Sequence, residues 1–250
     1  MFKLLLTLHF DSSAMCRRKG LCLALLLHAS NGLQFANTQP SADKHGLPPL
    51  PGGAFLELEA PGWTRGVGTG RRVWPCAGAL CRYLARTDAV RGRRVVELGC
   101  GTGAVGCFAA ALGARSVALT EGGSDALRRI AAKNVAANAD LFATENVTVA
   151  PLSWGAAYGG SADVVLGSDV TYDRDSHDRL CATLASLLAP EGSVALLAHQ
   201  HRRFASVLSG GSQLDHFLDA ARDAGLDVDE AHVDASANAL APVTILRVAR

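Results

Sequence analysis

Val95-Val96-Glu97-Leu98-Gly99-Cys100-Gly101-Thr102-Gly103 is the stretch that decides how this chain folds. It reads as a buried strand that carries a carboxylate near its end and opens into a glycine-rich turn. Ala104 to Leu112 follow, small and apolar with a further Gly106, and suit the start of a helix. Strand, glycine turn and helix is a geometry that receives the adenosine half of a cofactor. Glycine lets the backbone turn sharply and lets a ligand approach where a Cβ would clash.

The carboxylate two residues before the first glycine selects among such cofactors. A dinucleotide would lay its pyrophosphate against the turn and the helix N-terminus, where the positive end of the dipole favours anions. Glu97 beside it would set negative charge against negative charge. S-adenosylmethionine has no phosphate and carries an ammonium and a sulfonium, so a carboxylate suits it. The spacing of Glu97, Gly99, Gly101 and Gly103 resembles the cofactor signature of class I methyltransferases. The plain alternative is a glycine turn that binds nothing. Glu97 argues against it, because a carboxylate closing an apolar run is costly without a partner.

Working outward, strands and helices alternate. The periodicity predicts strands over 94–98, 116–120, 146–152, 162–166, 193–198, 226–232 and 243–248. It predicts helices from Val73-Trp74 to Leu84, over Asp125–Asn138 behind Ser124 as N-cap, over His177–Leu188, and over Gln213–Ala224 with Gly225 as C-cap. This pattern implies βαβ units: an α/β, Rossmann-like, seven-stranded, mostly parallel sheet with helices on both faces. Ahead of it, Phe55-Leu-Glu-Leu-Glu59 alternates apolar and acidic residues as a half-buried strand does, and Gly66–Gly70 reads as a flexible loop.

Ligands of open α/β sheets bind at the carboxyl ends of the strands, and the residues there are unusual. Glu121 closes the second strand about twenty residues past the glycine turn, where an acid hydrogen-bonds a ribose diol; capping the next helix is its plainer use. The third strand ends in Leu152-Ser153-Trp154-Gly155, whose indole suits either stacking on an adenine or an ordinary core position. The fourth ends in Gly167-Ser168-Asp169-Val170-Thr171-Tyr172. There an aspartate closing an apolar run needs a partner, and a tyrosine three residues on reaches the same pocket; a turn-forming Asp is the alternative.

Composition narrows the class. With 49% hydrophobic and 19% charged residues in 250, the chain is globular and well cored. Lys+Arg 24 against Asp+Glu 23 gives a net charge of +1, which offers no field for nucleic acid or an anionic membrane. The seven cysteines form no C-x-x-C pair and no zinc spacing, so they read as reduced core thiols in a reducing compartment, the cytoplasm. His199 and His201 lack an evident third ligand, and no metal site is expected. Residues 1–52 read as an extension ending in the breaker cluster Pro48–Gly53, and 53–250 as the enzyme domain. Arg17-Arg18-Lys19 followed by Leu21–Leu27 resembles a secretory or organellar targeting peptide, too short to span a bilayer; a poorly ordered extension, or a start-site artefact given Met15 just before the basic cluster, are the other readings.

From Gly66 to Arg250 the chain is similar to the seven-β-strand protein methyltransferases of family 16, which methylate mainly lysine. Val73-Trp74-Pro75, the Glu97–Gly103 turn, Leu152–Gly155 and Asp169-Val-Thr-Tyr172 carry the match in order and spacing. The resemblance implies that Trp74, Gly99, Cys100, Gly101, Glu121, Trp154 and Ser168 contact S-adenosylmethionine, with Glu97 and Gly103 completing the signature. It also implies that Asp169 and Tyr172 organise methyl transfer to a lysine of a protein substrate. Glu121 stands where Asp is common, and Ser168 where Ala often is. A monomer with no nucleic-acid partner is expected, its acceptor choice set by the loops 55–70, 173–177 and 199–208. A protein-histidine, small-molecule or nucleic-acid methyltransferase, a nicotinamide dehydrogenase and a non-catalytic scaffold are the rivals. Asp169-Val-Thr-Tyr172 lacks the paired prolines of enzymes that methylate planar amines.

Overall fold

Val95 to Leu98 are buried on both faces of the sheet, as the central strand of a doubly covered sheet must be. The computed structural model describes residues 42–62, 69–189, 191–201, 212–236 and 241–250. The described elements are α1 (Pro75–Ala85), β1 (Arg94–Leu98), α2 (Ala104–Ala111), β2 (Ser116–Glu121), α3 (Asp125–Ala137), β3 (Val147–Pro151), β4 (Val164–Ser168), α4 (His177–Leu187), β5 (Val194–Gln200), α5 (Gln213–Asp223), β6 (Asp227–Asp234) and β7 (Val243–Ala249). All seven expected strands are present, with ends displaced by two residues at most.

The strand order is β3-β2-β1-β4-β5-β7-β6. Strands β1 to β5 run parallel, and β7 is antiparallel to both β5 and β6. The chain builds outward from β1 to β3, then returns to lay β4 on the other side of β1. The carboxyl ends of β1 and β4 therefore flank the point where the winding reverses, the place where such sheets bind ligands. Successive residues of β1 feed opposite cores: Val95 joins Leu80 and Phe108 of α1 and α2, while Val96 joins Leu180 and Phe217 of α4 and α5. A strand period of two thus becomes two helical layers.

The chain divides into Met1–Gln39 and Pro40–Arg250. The basic cluster and apolar run read as a targeting peptide lie outside the described residues. Leu47 and Leu50, just before the boundary expected at residue 52, are buried in the same core as Leu80.

Phe55–Glu59 is not a strand of the sheet. Its alternation is real, since Leu56 and Leu58 are buried while Phe55, Glu57 and Glu59 are exposed. Its partners are the side chains of Asn134 in α3 and Asn138 at its C-cap. The Glu57 N–H donates to Asn138 Oδ1 at 2.8 Å and its carbonyl accepts from Asn138 Nδ2 at 2.8 Å. Glu59 pairs likewise with Asn134, at 2.7 Å and 3.0 Å. Residues four apart on a helix rise about 6 Å, and residues two apart on an extended chain about 6.8 Å, so two amides on one helix face match two peptide groups of a passing strap. Asn134 Nδ2 also donates to the Thr102 carbonyl at 2.9 Å, tying the strap to the glycine turn. Asn134→Ala removes the partners of three backbone groups and is expected to cost about 2 kcal/mol in denaturant unfolding; an unchanged midpoint would show that water replaces the amide.

Candidate active site

A cavity of about 490 Å³ opens at the carboxyl ends of β1, β2 and β4, lined by Trp74, Gly99, Glu121, Trp154, Ser168, Asp169 and Tyr172 among others. Seven residues singled out from five separate stretches of sequence therefore meet on one surface. Glu121 ends β2, and both its oxygens are held by backbone amides. Gly101 N–H donates to Oε2 at 3.0 Å and Gly123 N–H to Oε1 at 2.8 Å. A carboxylate offers about four acceptor sites, so two bonds fix its orientation and leave capacity toward the cavity.

Trp154 packs over the turn so closely that a Cβ on Gly99 would lie 3.3 Å from its Cζ2 and 3.2 Å from Val170 Cγ1. Its own turn is anchored to α4 by the Gly155 N–H, which donates to Thr183 Oγ1 at 2.8 Å. Trp74 is the N-cap of α1, ahead of Pro75 at the first helical position. Its indole N–H donates to the Thr69 carbonyl at 3.2 Å, and the Arg72 guanidinium sits 5.2 Å from the ring centroid.

Asp169 follows β4 with φ +59°, alone among the described non-glycine residues in having positive φ. Such a backbone is sparsely populated and clusters at functional sites. Its side chain is 8% exposed, whereas Tyr172 is 45% exposed. The pair thus spans the cavity from wall to surface.

The remaining signature residues do not line the cavity. Glu97 is 2% exposed and turned away from it: Oε2 accepts the Gly106 N–H at 2.8 Å. Gly106 is the third residue of α2, so Glu97 satisfies an amide that the helix start leaves without a partner. Burial raises its pKa to about 8, against the lowering effect of that bond and with a further rise from Glu121. Glu97 thus supports the turn and is not among the residues lining the cavity. Gly101 and Gly103 make close approach possible behind the cavity: a Cβ on Gly101 (φ +53°) would lie 2.6 Å from the Gly70 carbonyl oxygen, and one on Gly103 (φ +78°) 2.6 Å from Leu119. Cys100 is buried, and burial holds its thiol well above its usual pKa. Five described cysteines are buried and form no disulfide among the described residues.

Thr69, Gly70, Gly123, Ser124, Leu127, Val170 and Gln213 also line the cavity. Ser124 had a visible signal as an N-cap residue, but its side chain makes no cap hydrogen bond here. Gln213 had none; the first turn of α5 brings it in from a distant part of the sequence. His199 Nδ1 and Thr171 Oγ1 lie 2.7 Å apart, and His201 Nε2 and Thr244 Oγ1 2.9 Å. Among the described residues no helix is long and apolar enough to cross a membrane.

The fold is that of class I methyltransferases. The magnesium protoporphyrin IX methyltransferase of Synechocystis PCC 6803, solved with bound SAH, superposes with a TM-score of 0.54 at 17% identity, over 70% of this chain and 81% of that one. The chain belongs to the lysine methyltransferase family, whose model matches residues 57–209. It is 37% identical over 134 residues to EEF1A lysine methyltransferase 3 of Mus musculus, which covers 52% of this chain and 56% of that protein. It is 36% identical over 140 residues to the protein N-lysine methyltransferase METTL21A of Danio rerio, covering 54% and 62%. The match thus spans less than two thirds of either relative.

Proposed function

We propose that this protein transfers a methyl group from S-adenosylmethionine to the side-chain amine of a lysine in a protein substrate, acting as a cytoplasmic monomer. The observation that carries the reading is one cavity lined both by an oriented Glu121 and by Asp169 with Tyr172. The residues fit the cofactor. Glu121 has acceptor capacity for a ribose diol, Trp154 offers an indole face for an adenine, and Gly99 leaves room where a Cβ would strike Trp154. Ser168 and Trp74 complete that side. Two carboxylates on the wall, Glu121 and Asp169, suit a ligand that carries positive charge. When bound, S-adenosylmethionine supplies an electrophilic methyl group.

The chain's own contribution is alignment. A lysine amine has an ordinary pKa of about 10.4 and arrives protonated, so it must first release a proton to solvent to free the lone pair that takes the methyl group, S-adenosylhomocysteine being the leaving product. Asp169, nearly buried, and the more exposed Tyr172 hold the neutral amine in line. Most of the acceleration then comes from proximity and orientation, which can supply about 7–11 kcal/mol of a barrier. Acceptor choice falls to the loops 55–70, 173–177 and 199–208, of which 63–68 and 202–208 lie outside the described residues. Buried cysteines that form no disulfide among the described residues support a reducing compartment.

The test is transfer of labelled methyl from S-adenosylmethionine into cell extract. A protease-sensitive, nuclease-resistant product that yields methyl-lysine on hydrolysis is expected. Methyl-histidine, or label confined to nucleic acid or small molecules, would overturn the lysine assignment.

A further inference from the structure

The loop Asp169–Tyr172 is fastened from outside at three points. The Asp169 N–H donates to the Ala198 carbonyl of β5 at 2.9 Å. The Thr171 hydroxyl lies 2.7 Å from His199 Nδ1. The Thr171 carbonyl lies 3.1 Å from Nε2 of His177, the first residue of α4. A carbonyl only accepts, so His177 must carry a proton on Nε2. That ring is 0% exposed, and burial holds its pKa below the usual imidazole value, aided by His216 and Arg174 and opposed by the Thr171 bond and Asp173. In the neutral ring Nδ1 is then a bare acceptor inside the protein, and a buried acceptor requires a donor.

The group facing it is His216 Nδ1, 3.0 Å away on α5. The same reasoning places a proton there. His216 is an exposed residue, so its ring bridges from the protein surface to a fully buried histidine. Phe217 packs edge-on against His177 at 5.6 Å between ring centroids. One turn before His216, Gln213 lines the cavity. Neither histidine lines it. The two rings thus connect the loop that presents Asp169 and Tyr172 to the helix that presents Gln213.

We propose that His216, acting through His177, is a positioning residue for the acceptor side of the cavity. It fixes the tautomer of His177, His177 holds the Thr171 carbonyl, and the bridge sets α5 and the 169–172 loop relative to each other. The proposal rests on the methyltransferase reading of the cavity.

The test compares His216→Phe, which keeps an aromatic ring and loses the donor, with His216→Asn, whose Nδ2 occupies the place of the imidazole Nδ1. Three readings are taken well below each variant's melting temperature: kcat and acceptor KM for methyl transfer, calorimetric binding of S-adenosylhomocysteine, and the nitrogen NMR shifts of His177. For His216→Phe, kcat/KM is expected to fall about tenfold, since small misplacements of reacting groups are costly. S-adenosylhomocysteine binding stays at the wild-type level, and His177 loses its single-tautomer signature. His216→Asn is expected to restore both the rate and the signature. Wild-type kcat/KM in folded His216→Phe, or a His216→Asn protein as impaired as His216→Phe, would overturn the proposal. Should wild type methylate no protein, the reading of the cavity falls. The NMR shifts of His177 and of the Thr171 and Tyr172 amides then decide the bridge alone: unchanged shifts in His216→Phe refute it, and coupled shifts reversed by Asn uphold it.

Discussion

Replacing Asp169 by Asn is expected to lower methyl transfer to a protein lysine by about a hundredfold to a thousandfold while leaving S-adenosylhomocysteine binding almost unchanged. The choice of Asn matters, because Asp169 has φ +59°. Asn is among the few residues that tolerate this region, so the backbone and the shape of the cavity are kept and only the charge is removed. Ala at the same place would add backbone strain to the lost carboxylate and confuse two effects. Glu121→Ala should give the opposite division. Its oxygens serve the glycine turn through Gly101 and Gly123, so affinity for S-adenosylhomocysteine falls first. Single-turnover transfer with a protein acceptor, set beside calorimetry, separates the two. An Asp169→Asn enzyme that turns over at the wild-type rate would remove Asp169 from the reaction.

The parts of this site that could be read in the sequence are those where a local rule is broken at a strand end. Glu121, Trp154 and Asp169 each close an apolar run with a residue that does not belong in one, and all three line the cavity. A polar or bulky group there must be satisfied by something the local sequence does not contain. Glu97 breaks the same rule for a different reason. Its partner is the Gly106 amide nine residues on, in the first turn of α2, and a pattern cannot say which side of the turn a carboxylate faces.

The strap Phe55–Glu59 exposes a second limit. Alternation reports which side chains are buried, and it reported that correctly. It does not report what satisfies the backbone, which here is Asn134 and Asn138 rather than a neighbouring strand. Gln213 was illegible for a simpler reason. It is an ordinary polar residue at a helix start, and only the crossing of the chain to β4 and β5 brings α5 to the cavity.

Burying Glu97 has a consequence for stability that pH should reveal. Its carboxyl has an ordinary value of 4.5 and is raised to about 8 in the folded protein, mainly by burial. Between those values the unfolded chain has released the proton and the folded protein keeps it. Stability therefore stands at its full value below 4.5, falls as pH rises, and levels off above 8. The slope for one such group is about 1.4 kcal/mol per pH unit. Glu97→Gln keeps an oxygen to accept the Gly106 amide and cannot ionise. The variant is expected to gain on wild type steadily as pH rises through this window. His177 acts in the opposite sense, because burial lowers its pKa; it is present in both proteins, and the difference between their curves cancels it. Asp163, held down to about 2 chiefly by the Arg94 side chain, titrates below the window altogether. Denaturant unfolding of both proteins from pH 5 to pH 8 decides the matter. Curves that stay parallel would mean that Glu97 is ionised in the folded protein and that the turn holds a buried charge.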